Sequence, residues 1–132
     1  MKTTQMAAAI LLAGVACIAG CGGSETEVSG RILMDGQPLK EGEIIFEEAD
    51  NSVTPAVGKI VGGKYQTKVL PGSKVVRINA SRPSAIVDPH MGVPTSESMI
   101  AEEFNVQSKL KADIRPGTQD EVNFEVTSIP PR

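Results

Sequence analysis

Turn dipeptides set between short apolar runs constrain this chain more than any other feature. Asp35-Gly36, Gly62-Gly63, Pro71-Gly72 and Pro116-Gly117 each separate short runs rich in Val, Ile, Phe and Tyr. Asp-Gly and Gly-Gly readily take the positive φ that a two-residue hairpin demands, and Pro-Gly turns a chain without continuing a strand. Runs this short, broken this often, favour strands over helices.

The runs themselves alternate. In 28–34, Val28, Gly30, Ile32 and Met34 oppose Ser29, Arg31 and Leu33. In 43–48, Ile44 and Phe46 share a face, and 56–61 forms a third run ahead of Gly62-Gly63. In 64–69, Tyr65, Thr67 and Val69 point one way and Lys64, Gln66 and Lys68 the other. In 73–80, Val76, Ile78 and Ala80 oppose Val75, Arg77 and Asn79. Leu110, Ala112 and Ile114 repeat the pattern within 108–114, and Val122, Phe124 and Val126 close it. Period-two alternation marks strands with one buried face. About seven antiparallel strands make an all-β sandwich the expected architecture. Between 81 and 106 the alternation lapses around Pro83, Pro89 and Pro94. Proline removes ladder donors, so this stretch reads as a long Pro-rich loop, with one helical turn at 100–104.

The N-terminus differs from the rest. Lys2 precedes an uncharged apolar run from Met6 to Ala19, too short to span a bilayer as a helix. A basic start, a short apolar segment and small residues at its end have the form of a signal peptide. Ile18-Ala19-Gly20-Cys21 resembles the bacterial lipobox, in which the cysteine thiol receives a diacylglyceryl group and the chain is cut just before it. Cys17 is a poorer match, because Gly14 stands where the branched apolar residue belongs. The resemblance therefore assigns Cys21 as the lipid attachment site. Residues 1–20 become the signal peptide, forming a helix. Residues 21–27 become a flexible tether, and 28–132 the β-sandwich domain. Several acyl chains on one residue anchor stably where a single chain does not.

Within the domain, "VSGRILMDGQPLKEGEIIF" resembles the opening of carboxypeptidase-regulatory-like and transthyretin-like domains, a strand, a D-G-x-P-L turn and a strand ending in Phe. "GGKYQTKVLPGSKVVRI" resembles their G-x-Y…L-P-G…V-R-I hairpin. "MIAEEFNVQSKLKADIRPGTQDEVNFEVTS" is similar to the closing segment of small bacterial envelope lipoproteins that carry this domain. The resemblance implies an immunoglobulin-like (transthyretin-like) sandwich that performs no chemistry of its own.

Composition narrows the choice of partner. Removing residues 1–20 takes one charge, Lys2, so the formal net charge moves from −3 to −4 over the remaining 112 residues. A mildly acidic chain lacks the basic footprint of a nucleic-acid binder. With no Trp, one Tyr and three Phe, it also lacks aromatic platforms for stacking bases or sugars.

Catalytic signals are weak. The lone His90 follows Asp88-Pro89, with Ser81, Ser84, Ser96 and Ser98 nearby, but no G-x-S-x-G elbow occurs. One histidine and no spare thiol do not make a zinc site. Glu47, Glu48 and Asp50 are oxygen donors suited to calcium but lack the spacing of a calcium loop, and Glu102-Glu103 reads as helix-forming. Lys64, Gln66, Lys68, Lys74 and Arg77 suggest a basic stripe on one sheet face, read as a solvated face rather than a binding site.

The expectation is thus a non-enzymatic lipoprotein without cofactor or metal. It is held to membrane lipid through acylated Cys21 on the extracytoplasmic side of a bacterial envelope. Gly22 after the cysteine favours the outer membrane over the inner one. Its role would be structural, or interaction with an envelope protein through the 81–106 loop or a sheet edge. The second expectation is a module that binds a glycan or a small molecule.

Overall fold

The structure is a computed structural model and describes residues 24–130. Among these residues the chain is all-β, with eleven strands and a single 3-10 turn at Glu102–Phe104. The strands are β1 (Thr26–Met34), β2 (Gln37–Pro38), β3 (Glu41–Glu47), β4 (Ala56–Val61), β5 (Lys64–Val69) and β6 (Gly72–Asn79). They continue with β7 (Ser81–Val87), β8 (Pro94–Ser98), β9 (Leu110–Ile114), β10 (Thr118–Gln119) and β11 (Phe124–Val126). No helix among the described residues is long and apolar enough to cross a membrane. The expected signal-peptide helix of 1–20, and Cys21, lie outside the described residues.

One curled sheet carries most of the chain, in the order β10-β1-β5-β4-β3-β6-β9. The seven alternating runs all fall on strands of this sheet. Its pairs are antiparallel except at one edge, where β1 runs parallel to both β10 and β11. The expected antiparallel sheet is thus present, with a parallel addition at that edge. The two glycine-containing hairpins form as their sequences dictate. Asp35 and Gly36, at φ 52° and 80°, join β1 to β2, and Gly62 and Gly63, at φ 59° and 75°, join β4 to β5. Positive φ at both central positions gives the turn the twist that the flanking strands need.

Curling brings the alternating apolar faces together into a sandwich-like core. Val28 and Ile32 of β1, Ile44 and Phe46 of β3, Ile60 of β4 and Tyr65 and Val69 of β5 are buried there. Val76 and Ile78 of β6, Ile114 of β9 and Val126 of β11 complete it with Leu39, Ala80 and Ile100. Phe46 and Tyr65 meet with ring centroids 6.1 Å apart and tilted by 43°. The C-terminal segment is tied back to the first turn, since Asp35 Oδ1 accepts from the Ser128 N–H at 3.1 Å and Asp35 Oδ2 from the Ser128 hydroxyl. These bonds hold the Asp35 carboxyl below its usual pKa.

The expected long loop at 81–106 is corrected. Residues 81–98 form a separate two-stranded hairpin, β7–β8, with a register shift between Pro83 and Val87. Proline does not prevent it, because each outer edge of a two-stranded ribbon is free. A missing N–H there breaks no ladder bond, and Pro94 is the first residue of its strand. Arg82 lies directly opposite Glu97 and donates to it at 2.7 Å, and Ser84 and Thr95 hydroxyls meet at 3.0 Å. At the tip, Asp88 Oδ1 accepts from the N–H groups of His90 at 2.8 Å and Met91 at 3.0 Å, and Gly92 takes φ 67°.

The sheet also fixes two poles. β1 starts beside the end of β5, with Thr26 opposite Val69, and the turn after Val69 leads to Gly72 opposite Ile114. β6 then runs the length of the sheet to Asn79, and the chain enters β7 at the far end. The chain thus enters the domain at one pole, and the β7–β8 hairpin leaves from the other.

Candidate functional site

An open cleft of about 780 Å³ lies against the outer face of β1, β5 and β4. Its rim is the stretch 120–123, which bridges β10 and β11 without joining the ladder. Four bonds hold it. Ser29 Oγ donates to Asp120 Oδ1 at 2.9 Å, and Val122 N–H donates to the Ser29 carbonyl at 3.0 Å. Arg31 N–H donates to Asn123 Oδ1 at 2.7 Å, and Tyr65 Oη donates to the Val122 carbonyl at 2.6 Å. Burial of its ring pushes the Tyr65 phenol well above its usual pKa, so it remains a donor. Gly30 permits the close approach. A Cβ there would stand 2.0 Å from the Val122 carbonyl oxygen.

Arg31 of β1, Lys59 of β4 and Lys64 of β5 line this cleft, facing Asp120 and Glu121 on the rim. Arg31 and Lys64 stand directly opposite each other on the β1–β5 ladder. Like charges at such a position repel. The ion pairs among the described residues lie elsewhere, at Lys74–Glu48, Arg77–Glu47 and Arg82–Glu97.

The expected basic stripe therefore divides. Lys64 and Gln66 line the cleft, and Lys68 is exposed farther along β5. Lys74 instead shares the inward face of Val76 and Ile78. It is only 4% exposed, and its Nζ donates to Glu48 Oε1 at 2.7 Å. That contact and the Ser52 hydroxyl hold the Glu48 carboxyl below its usual pKa. Arg77 Nε lies against the Glu47 carboxylate as an ion pair, but not in line for a hydrogen bond. Asp50 accepts from the Ser52 N–H at 3.0 Å, and its pKa is lowered by Ser52. Glu47, Glu48 and Asp50 are thus each engaged by a neighbouring cation or donor. Among the described residues no group of three or more His, Cys, Asp or Glu is arranged to hold a metal ion.

His90 stands exposed at the hairpin tip, and the Asp88 carboxylate is taken up by backbone N–H groups. No hydrogen bond reaches the imidazole from the described residues. Ser84 bonds Thr95 and Ser98 bonds Ile100, so the hydroxyls are spent on holding the hairpin and its base. Ser81 and Ser96 form no side-chain hydrogen bond among the described residues. Around the tip, Ile86, Val87, Met91 and Val93 are all exposed, Met91 at 73%.

Sequence reasoning missed Arg31 and Lys59 as partners of Lys64. Lys59 was within reach, because the Gly62-Gly63 turn sets the β4–β5 register. Arg31 was not, because pairing of β1 with β5 is a long-range event.

No family model matches the chain, and no curated protein matches it. Among solved structures, a 9R-lipoxygenase from Cyanothece PCC8801 is similar at 15% identity and a TM-score of 0.42, over 98% of this chain and 19% of that one.

Proposed function

We propose that this protein is a non-catalytic lipoprotein of a bacterial envelope, anchored through acylated Cys21, whose transthyretin-like sandwich presents the β7–β8 hairpin to a protein partner. One observation carries the reading. The chain enters β1 at the pole opposite the hairpin. Only four residues lie between Cys21 and the first paired residue, Thr26, so the five steps of chain reach about 17 Å when fully extended. The tether is thus shorter than the 21–27 expected, because β1 begins two residues before Val28. An anchor at Cys21 holds the entry pole against the lipid surface and points the hairpin away from it. The tip then carries four exposed apolar side chains that its own membrane does not cover. Clustered exposed apolar side chains mark interaction surfaces more often than single ones do.

Metabolic labelling with a fatty-acid analogue tests the anchor. Cys17→Ala retains the label and Cys21→Ala loses it. Label remaining on Cys21→Ala, or absent from the unmodified chain, contradicts the reading.

A further inference from the structure

We propose that the cleft beside β1 binds a small ligand carrying two or more phosphate or carboxylate groups, gripped by Arg31, Lys59 and Lys64. This does not rest on the anchoring reading. The sheet assembles the three cations from three strands, and none of them meets a carboxylate within ion-pair distance among the described residues. Asp120 and Glu121 share the cleft but stay beyond that range, and Asp120 Oδ1 already accepts from Ser29. Arg31 and Lys64 are forced side by side by the ladder, so an anion between them relieves a repulsion that the fold builds in.

Asn123 adds donors to the three cations. Asn123 Oδ1 is taken by the Arg31 N–H, which leaves its amide N–H groups free to donate. Gln66 Nε2 donates to Glu27, which holds that side chain along the sheet. A guanidinium and two ammonium groups offer only donors, and their natural partner is an oxyanion, held on the sheet side of the cleft away from the Asp120 and Glu121 carboxylates of the rim. The cleft volume of about 780 Å³ exceeds a single phosphate and suits a ligand of two or three linked units. The adjoining hollow of about 550 Å³ carries Glu41, Glu43 and Glu97, with Lys59 at the shared border. It repels the same ligand and confines it to the β1 side.

Titration calorimetry on the full-length chain in neutral detergent tests this, with pyrophosphate, trigalacturonate and neutral maltotriose as probes. At least one anion binds, its affinity falls as salt rises, and maltotriose does not bind. Arg31→Gln and Lys64→Gln each weaken that binding by roughly tenfold or more, the loss expected for a charge-assisted hydrogen bond. Lys109→Gln, outside the cleft, leaves it unchanged. All three substitutions fall on solvent-facing positions, and thermal melts verify that the variants fold. The preferred anion tells phosphate from carboxylate. Failure of both anions to bind, equal binding of maltotriose, or wild-type affinity in both cleft variants overturns the proposal.

Discussion

The curled sheet and the β7–β8 hairpin are built on opposite terms. In the sheet, nearly every strand sends alternate aliphatic side chains into a common interior, and partners such as Val28, Ile44 and Ile114 come from distant parts of the chain. The hairpin strands bury no side chain fully. Its strands are joined by the Arg82–Glu97 contact and the Ser84–Thr95 hydroxyl pair, and its turn is held by Asp88. Its base alone is fastened to the body, where Arg82 Nη2 donates to the Ile129 carbonyl at 3.0 Å and Met99 N–H to the Ala80 carbonyl at 2.8 Å. The sheet holds the fold, and the hairpin is carried by it. The sheet hides a full inner face of apolar side chains, though Val57 and Val61 stand exposed on its outer face, whereas the hairpin hides none.

This contrast predicts a graded series of substitutions. Ile78→Ala, in the fully buried face of β6, costs about 2–5 kcal/mol and is read by chemical denaturation. Gly30→Ala comes next. Its Cβ meets backbone rather than a side-chain end, so the 120–123 rim must shift, at about 1–3 kcal/mol. Arg82→Ala removes a partly exposed pair and a tie to Ile129. It costs about 1 kcal/mol, and amide exchange should speed up across β7 and β8 while β1 and β3 stay protected. Met91→Ser at the tip changes stability by no more than about 0.5 kcal/mol. A Met91→Ser loss as large as that of Ile78→Ala would break the distinction between the two regions.

Acid provides a milder probe of the same contrast. Asp35, Glu48 and Asp50 have pKa values below their usual 3.8, 4.5 and 3.8. Carboxyls depressed in the folded state contribute stability above their unfolded pKa, and lose it as pH falls through the folded one. Stability is therefore level from neutral pH to about 5 and declines below about pH 4. Because Asp35 and Asp50 are exposed and Glu48 is only partly covered, the decline is shallow, and Asp35→Asn flattens part of it in denaturation curves taken across that range.

Legibility in the sequence followed burial. The seven sheet runs were readable because a buried face forces period-two alternation, and a one-residue slip would expose it. Asp35-Gly36 and Gly62-Gly63 were readable because few residue pairs tolerate positive φ twice. The hairpin was missed for the complementary reason. With neither face buried, Arg82, Ser84, Thr95 and Glu97 show no apolar rhythm, and Pro83 and Pro94 argue for a loop until free strand edges are considered. Lys74 was misplaced because its charge outweighed its register. It alternates with Val76 and Ile78, and Glu48 makes that inward position tenable. The cleft was half legible, since Lys64 and Gln66 are on one hairpin strand while Arg31 joins them only through long-range pairing.

The most direct test asks which pole faces lipid. The full-length acylated protein is placed in vesicles, with a fluorophore on Ser24→Cys or, separately, on Met91→Cys. Energy transfer to an acceptor in the bilayer is strong from position 24 and much weaker from position 91 if the entry pole is moored and the hairpin points outward. Equal transfer from the two positions, or stronger transfer from 91, contradicts the account.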